Sequence, residues 1–147
     1  MKKILLLLTM ATALGACNKA TLEQAGTREM FNAGGLQVIT SFANTQQKIM
    51  AVVYGNEAAK KSAVLEYQVH TPGEIFQLVV YKQAGNKYWY GSHINGRVQS
   101  VETIIFQPSA GAGDWSYKLE QGNIAGNKVS ATDRISYIFA HKPSVFP

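Results

Sequence analysis

The chain of 147 residues carries a net charge of +5, with 46% hydrophobic residues, 16% charged residues and a single cysteine. This length allows one domain, and the apolar fraction excludes a disordered chain. A single cysteine excludes an internal disulfide and any metal or haem site that needs two cysteines. The basic residues are scattered, so the sequence lacks the basic, aromatic-rich stripe that indicates nucleic-acid binding.

Residues 1–16 have the pattern of an export signal. Two lysines precede an apolar stretch (residues 4–13) that is too short to span a bilayer. The stretch ends in Leu-Gly-Ala-Cys (residues 14–17). An ordinary cleavage site needs small residues one and three positions before the cut, and Leu14 is too bulky for the second of these.

The same four residues resemble the end of a bacterial lipoprotein signal, with a large aliphatic residue, two small residues and an obligatory cysteine. The resemblance implies that Cys17 carries a diacylglycerol, that the chain is cut before it, and that its new amino group is acylated. Asn18 then points to the outer membrane, with the protein facing the periplasm. The alternative is a plain secreted protein with an unused thiol.

Residues 17–35 are predicted to be the lipidated N-terminus and a flexible tether. Thr21 to Phe31 also fits a short helix, and the sequence leaves both interpretations open. Residues 36–147 are predicted to be one domain of the α+β class, mainly an antiparallel sheet with a few flanking helices.

Strand patterns in this domain recur between turn signals. Asn56 is expected to cap a helix over residues 57–65, and Thr132 or Asp133 one that runs to His141. For this last segment, a strand is the alternative. Turns are expected at Thr71 to Gly73, Ala84 to Lys87 and Asn95-Gly96. The predicted strands cover residues 36–42, 49–54, 75–82, 88–90, 97–106 and 117–119.

Candidate catalytic or metal-binding residues are few. His70, His93 and His141 are too far apart in sequence for a local metal site, and no metal or cofactor is predicted. His70 is expected to be solvated, His93 to be structural, and His141 to interact favourably with a helix C-terminus. Glu102 lies in a β-rich stretch, where it is either solvated or paired with Arg97 or Arg134.

Four aromatic residues, Tyr81, Tyr88, Trp89 and Tyr90, lie on the two sides of the predicted hairpin turn at residues 84–87. Cross-strand packing explains them without a ligand, and alternation along a strand predicts that Trp89 is a core residue. The competing interpretation is a binding pocket formed by Trp89, His93 and Glu102. No residue is predicted to be catalytic.

Several motifs in order resemble the cytochrome P-460 family in its broad sense, over roughly residues 36–147. The motifs are Tyr54-Gly55-Asn56 with Ala58-Ala59, Pro72-Gly73 before the strand from Ile75, Trp89-Tyr90-Gly91 with Ile94 and Gly96, Ser100-Val101-Glu102, and Arg134 to Ile138 with Ser144 to Pro147.

This resemblance implies an antiparallel sheet with flanking helices, often as a homodimer. Haem-bearing members attach haem through a Cys-x-x-Cys-His motif near the C-terminus. The present chain has no cysteine after Cys17, and Ile138-Phe139-Ala140 precedes His141. The resemblance therefore indicates a haem-less member and transfers no catalytic residue.

The sequence thus predicts a non-enzymatic envelope lipoprotein that is held on the membrane by its lipid and binds a protein or a small molecule. One alternative is a small-ligand or non-covalent haem-binding protein. The other is an enzyme with a reduced site, such as a hydrolase that uses His93 and Glu102.

Overall fold

The computed structural model describes residues 28–107, 114–124 and 129–143. Within these ranges, five antiparallel strands form one sheet, and their order in the sheet is their order along the chain. The predicted α+β fold with a mainly antiparallel sheet is confirmed. The strands are β1 (Gln37–Asn44), β2 (Ile49–Gly55), β3 (Ile75–Gly85), β4 (His93–Gln107) and β5 (Asp114–Gly122).

Two helices, α1 (Glu57–Val64) and α2 (Ala131–Phe139), follow β2 and β5. Both pack on the same side of the sheet, which we call the helix face. Its buried core joins Ala59 and Ala63 of α1 and Ile138 of α2 to strand residues such as Phe76 and Leu78. None of the helices in the described ranges is long and apolar enough to cross a membrane.

The opposite face of the sheet has a smaller core. Val79, Tyr81 and Val101 are buried there, and Phe31 and Tyr54 pack against them. Phe31 belongs to the segment that precedes β1. The described end of the possible helix over Thr21 to Phe31, residues 28–31, is not helical, and the remainder of that helix lies outside the described residues.

The capping residues set where the helices begin. Asn56 accepts a hydrogen bond from the Ala59 amide at 3.0 Å, so the predicted cap of α1 is confirmed. The cap of α2 is Ser130, which accepts from the Asp133 amide at 3.1 Å, so the prediction of Thr132 or Asp133 is wrong. The segment is helical, as predicted. It buries Ile138 against the sheet, as expected of an amphipathic helix.

Strands β3 and β4 are longer than their neighbours. The last residue of β3 that pairs with β2 is Lys82, and the first residue of β4 that pairs with β5 is Ser100. Beyond these points β3 and β4 pair only with each other among the described strands, as far as Gly85 opposite His93. We call residues 83–98, the two strand ends and the turn between them, the arm.

The structure of the arm contradicts one predicted turn and one predicted strand. Asn95 and Gly96 lie within β4 and do not form a turn. The strand pairing is irregular here, and a side chain on Gly96 would approach the Lys82 carbonyl oxygen to 2.7 Å, so the position requires glycine for close backbone approach. The connection lies instead at residues 86–92, so residues 88–90 are not a strand.

Candidate functional site

Glu102 is fully buried on the helix face in the middle of β4. Arg134 of α2 donates two hydrogen bonds to it, from Nε to Oε2 and from Nη2 to Oε1, each at 2.7 Å. The Tyr117 hydroxyl, on β5, donates to Oε2 at 3.0 Å. Of the two partners predicted for Glu102, Arg134 is confirmed and Arg97 is not, because Arg97 is exposed.

The buried charge alters the titration of its neighbours. Burial, followed by the charge of Glu102 and the hydrogen bond to it, raises the pKa of Tyr117 to about 12. Burial alone would lower the pKa of Arg134, but the hydrogen bonds and charge of Glu102 outweigh this and raise it. Both carboxylate oxygens of Glu102 are therefore occupied by donors that stay protonated at neutral pH, and the group links α2 to the sheet.

Glu74, just before β3, is a second fully buried carboxylate. The backbone amide and hydroxyl of Thr71 donate to its Oε1, and His70 Nδ1 lies 2.8 Å from Oε2. His70 is thus partly buried and paired, with 21% of its side chain exposed, and the prediction that it is solvated is wrong. The four-residue spacing across the Thr71-Pro72-Gly73 turn was a signal that the sequence interpretation did not use.

Ser62 also contacts His70, but Ser62, His70 and Glu74 do not form a catalytic triad. Its hydroxyl lies 3.1 Å from His70 Nδ1, the same nitrogen that contacts Glu74. A nucleophilic serine and an orienting acid must occupy opposite nitrogens of the imidazole for a proton to pass through the ring. Since both groups meet one nitrogen here, the arrangement positions the loop before β3 and does not activate Ser62.

An aromatic cluster encloses this part of the helix face. Trp115 of β5 is central to it, with ring centroids 4.8 Å from His70 and 5.0 Å from Phe139. The edge-to-face geometry of these contacts is favourable for aromatic pairs. Sequence analysis did not anticipate this cluster, because its members come from five separate segments. They are Tyr67, His70, Phe76, Phe106, Trp115 and Phe139.

The tip of the arm presents a different aromatic group. Tyr88, Trp89 and Tyr90 are 77%, 72% and 108% exposed, so the prediction that Trp89 is a core residue is wrong. Alternation along a strand buries a side chain only where another layer covers that face, and these residues lie beyond the ends of the neighbouring strands. Asn86 holds the turn, as its amide donates to the Ser92 carbonyl at 3.0 Å and its side chain accepts from the Tyr88 amide.

The charged residues of the arm and of the strand segments that carry it are all basic, and the acidic Glu29 contacts the base of the arm. Between residues 75 and 101 the chain contains Lys82, Lys87 and Arg97 and no acidic residue. All three cations are exposed, and the Lys87 ammonium lies 4.7 Å from the centre of the Tyr88 ring. The tip therefore combines three exposed aromatic rings with nearby positive charge.

The predicted pocket of Trp89, His93 and Glu102 is not formed. Trp89 and His93 are exposed on the arm, whereas Glu102 is buried on the helix face. Nine residue steps of extended strand lead from His93 to Glu102, a distance of about 30 Å. No group of three or more histidine, cysteine or acidic residues in the described ranges is arranged to hold a metal ion.

His93 and His141 differ in their surroundings. His93 is exposed, so its predicted structural role is wrong. His141 follows α2, where Nδ1 lies 2.9 Å from the Tyr137 carbonyl oxygen and the ring stacks on Phe42 at 3.6 Å between centroids. This agrees with the predicted interaction at the helix C-terminus. Cys17, the proposed lipidation site, lies outside the described residues.

Comparison with known proteins adds no relative: no protein-family model matches the chain, and no curated protein matches it significantly.

Proposed function

We propose that the chain is a lipoprotein of the bacterial cell envelope, anchored through Cys17 in the outer membrane and facing the periplasm, whose domain is a binding module and not an enzyme. The observation that carries the binding role is the exposed aromatic tip of the arm. The other aromatic side chains in the described ranges are all buried or partly buried, so three consecutive exposed rings indicate a contact surface.

The interior of the domain supports the same proposal. Glu74 and Glu102, its two fully buried carboxylates, are both held by donors. In the described part of the chain, no buried side-chain nitrogen or oxygen lacks a hydrogen-bond partner. Buried polar groups that are held by hydrogen bonds in this way stabilise the fold, which accounts for both carboxylates without a catalytic role.

The N-terminal sequence supports the anchor. Leu14 disfavours ordinary cleavage, and Cys17 stands where a lipoprotein signal requires it. Several acyl chains, each contributing about 0.8 kcal/mol per buried methylene, would hold the protein on a membrane almost permanently. The proposal that the domain is a haem-less relative of the cytochrome P-460 family rests on the motifs quoted above and on a sheet of the expected kind.

Mass spectrometry of the mature N-terminal peptide tests the anchor. We expect a chain that begins at Cys17 and carries a diacylglycerol and an N-linked acyl group. The Cys17→Ser variant should accumulate as an unacylated precursor, and the control variant Thr21→Ser, outside the signal motif, should be processed normally. An unmodified Cys17, or a mature chain that begins elsewhere, would contradict the proposal.

A further inference from the structure

The arm is the feature of the fold that the packing of the domain leaves unexplained. It extends beyond the ends of β2 and β5, so shortening it would not expose the core of the helix face. Its strands carry positive charge, and its tip carries Tyr88, Trp89 and Tyr90. Three exposed aromatic rings grouped at the end of a hairpin indicate a contact surface.

We infer that the tip of the arm inserts into the headgroup layer of an anionic lipid bilayer, the same bilayer that holds the lipid anchor. This inference rests on the proposed lipoprotein function. It assigns Trp89 and its neighbours a membrane-contact site separate from Cys17.

The first described residues of the chain lie against the base of the arm. The Glu29 amide donates to the Gly96 carbonyl at 3.4 Å, and Glu29 Oε2 accepts from the Val98 amide at 2.7 Å. The chain therefore enters the domain against the base of the arm. The eleven residue steps from Cys17 to Arg28 span at most about 40 Å in any conformation. The six steps from Gly96 to Tyr90 span at most about 20 Å, so the anchor and the tip can reach one membrane together.

The chemistry of the tip suits the boundary between water and lipid. Tyrosine and tryptophan rings are apolar at one end and polar at the other, and they concentrate at the headgroup level of bilayers. Lysine and arginine near such rings attract the anionic headgroups of the bilayer. Lys87 provides this attraction at the tip, and Lys82 and Arg97 add positive charge at the base of the arm, where the Glu29 carboxylate accepts from the Val98 amide.

A protein partner is disfavoured by the shape of the surface. Stable protein interfaces bury about 800 Å² on each partner, with their hot spots at the centre of a broad patch. The tip is narrow, because only two strands support it and both neighbouring strands end before it. A bilayer needs no broad patch, since lipid closes around each inserted ring.

The two tryptophans of the chain allow insertion to be measured directly. Trp89 is exposed on the arm and Trp115 is packed in the aromatic cluster, so Trp115→Phe leaves Trp89 as the only indole and Trp89→Phe leaves Trp115. The acylated protein, purified from membranes, is reconstituted into vesicles of phosphatidylethanolamine and phosphatidylglycerol that contain phospholipids brominated near the headgroup. The emission of each variant is then compared with that in vesicles without bromine.

We expect the Trp115→Phe variant to be quenched by brominated lipid and its emission to be blue-shifted, and the Trp89→Phe variant to lose both effects. In vesicles of phosphatidylcholine alone, quenching of Trp89 should weaken. Lys87→Gln combined with Arg97→Gln should remove this dependence on anionic lipid. Because acyl chains hold every variant on the vesicle, these readouts report the arm and not the anchor.

Trp89 that is insensitive to brominated lipid but quenched by iodide in water would overturn the inference, and so would protection of Trp89 by a second copy or a bound protein. If mass spectrometry shows acylated Cys17 in the same sample, the proposed lipoprotein survives and only the membrane contact of the arm fails. If Cys17 is not acylated, the proposed function itself fails.

Discussion

The two tryptophans of the chain have different surroundings: Trp115 lies on the helix face of the sheet, and Trp89 lies at the tip of the arm. Trp115 stands on the helix face, where His70, Phe106 and Phe139 enclose it. Trp89 has tyrosines on both sides in the sequence and is 72% exposed. The difference lies in the layers around each ring: α2 and the loop before β3 cover Trp115, whereas the strands beside the arm end before Trp89.

The helix face and the arm also differ in whether their charged side chains are paired. On the helix face, Arg134 is matched by Glu102 at 2.7 Å. On the arm, Lys87 and Arg97 have no acidic residue nearby in sequence, and the nearest acidic group the contacts show is Glu29, which accepts from the Val98 amide at its base. A buried charge must find its partner within the fold, but an exposed one interacts with whatever approaches. Changes on the helix face should therefore reduce stability, and changes on the arm should leave it intact.

The largest effect is expected from Arg134→Met. It leaves the fully buried carboxylate of Glu102 without its cation, which should lower the free energy of unfolding by about 3–5 kcal/mol. Urea denaturation followed by circular dichroism measures this. Lys142→Met is the matched control, because Lys142 pairs with Glu66 on the surface, where an ion pair contributes about 0–1 kcal/mol.

The double variant Glu102→Leu/Arg134→Met separates charge burial from packing. It removes both charges and should regain part of the stability lost in Arg134→Met. If the single and double variants are equally unstable, the role of Arg134 is packing, and the contrast in charge between the two regions would not hold.

A smaller loss is expected from Tyr117→Phe. The variant removes the hydroxyl that donates to Glu102 at 3.0 Å but keeps the ring, and it should cost about 1.5 kcal/mol in chemical unfolding. Tyr88→Phe, at the exposed tip, is the control and should change stability by less than about 0.5 kcal/mol. Equal losses in the two variants would contradict the contrast between the regions.

Alkaline pH should destabilise the domain, in part through two tyrosines of the helix face. Burial raises the pKa of Tyr67 to about 12, and burial and Glu102 raise that of Tyr117 to about 12. Between about pH 10 and pH 12 the unfolded chain then releases protons that the folded chain retains, so stability present below pH 10 is lost as pH rises. Unfolding titrations at several pH values measure the slope, which should flatten in Tyr67→Phe and Tyr117→Phe and remain in Tyr90→Phe.

The smallest effect on stability is expected from Trp89→Ser. Because the ring is exposed at the end of the arm, its loss should change the free energy of unfolding by less than about 0.5 kcal/mol. Thermal unfolding beside Phe76→Ala, which empties a fully buried site and should cost about 3–5 kcal/mol, provides the reference. A large loss in Trp89→Ser would show that the tip packs on the domain.

Local patterns in the sequence were sufficient for most elements. The β-branched stretches became β1 to β4, and Asn56 before an acidic first turn marked the start of α1. Such signals act over a few residues and are visible in the chain itself. The Asn95-Gly96 prediction failed because the same pair also suits a strand in which a neighbouring carbonyl leaves no room for a side chain.

The candidate site was less predictable because burial depends on distant segments. The ring of Trp89 is exposed because the pairing of β3 with β2 stops at Lys82, and nothing near Trp89 in the sequence shows where that pairing stops. The choice of Arg134 over Arg97 for Glu102 likewise depends on where α2 packs. The His70–Glu74 pair was within reach of sequence analysis, because only four residues separate its members.

Asn56 links the start of α1 to the start of β3, and this link affects how the domain unfolds locally. Its side-chain oxygen accepts from the amides of Ala59 and Ile75, and its side-chain amide donates to the Gly73 carbonyl at 2.7 Å. One residue thus closes both the first turn of α1 and the start of β3. Amide protons of these two segments should exchange with solvent as a single cooperative unit, although about twenty residues separate them in the chain.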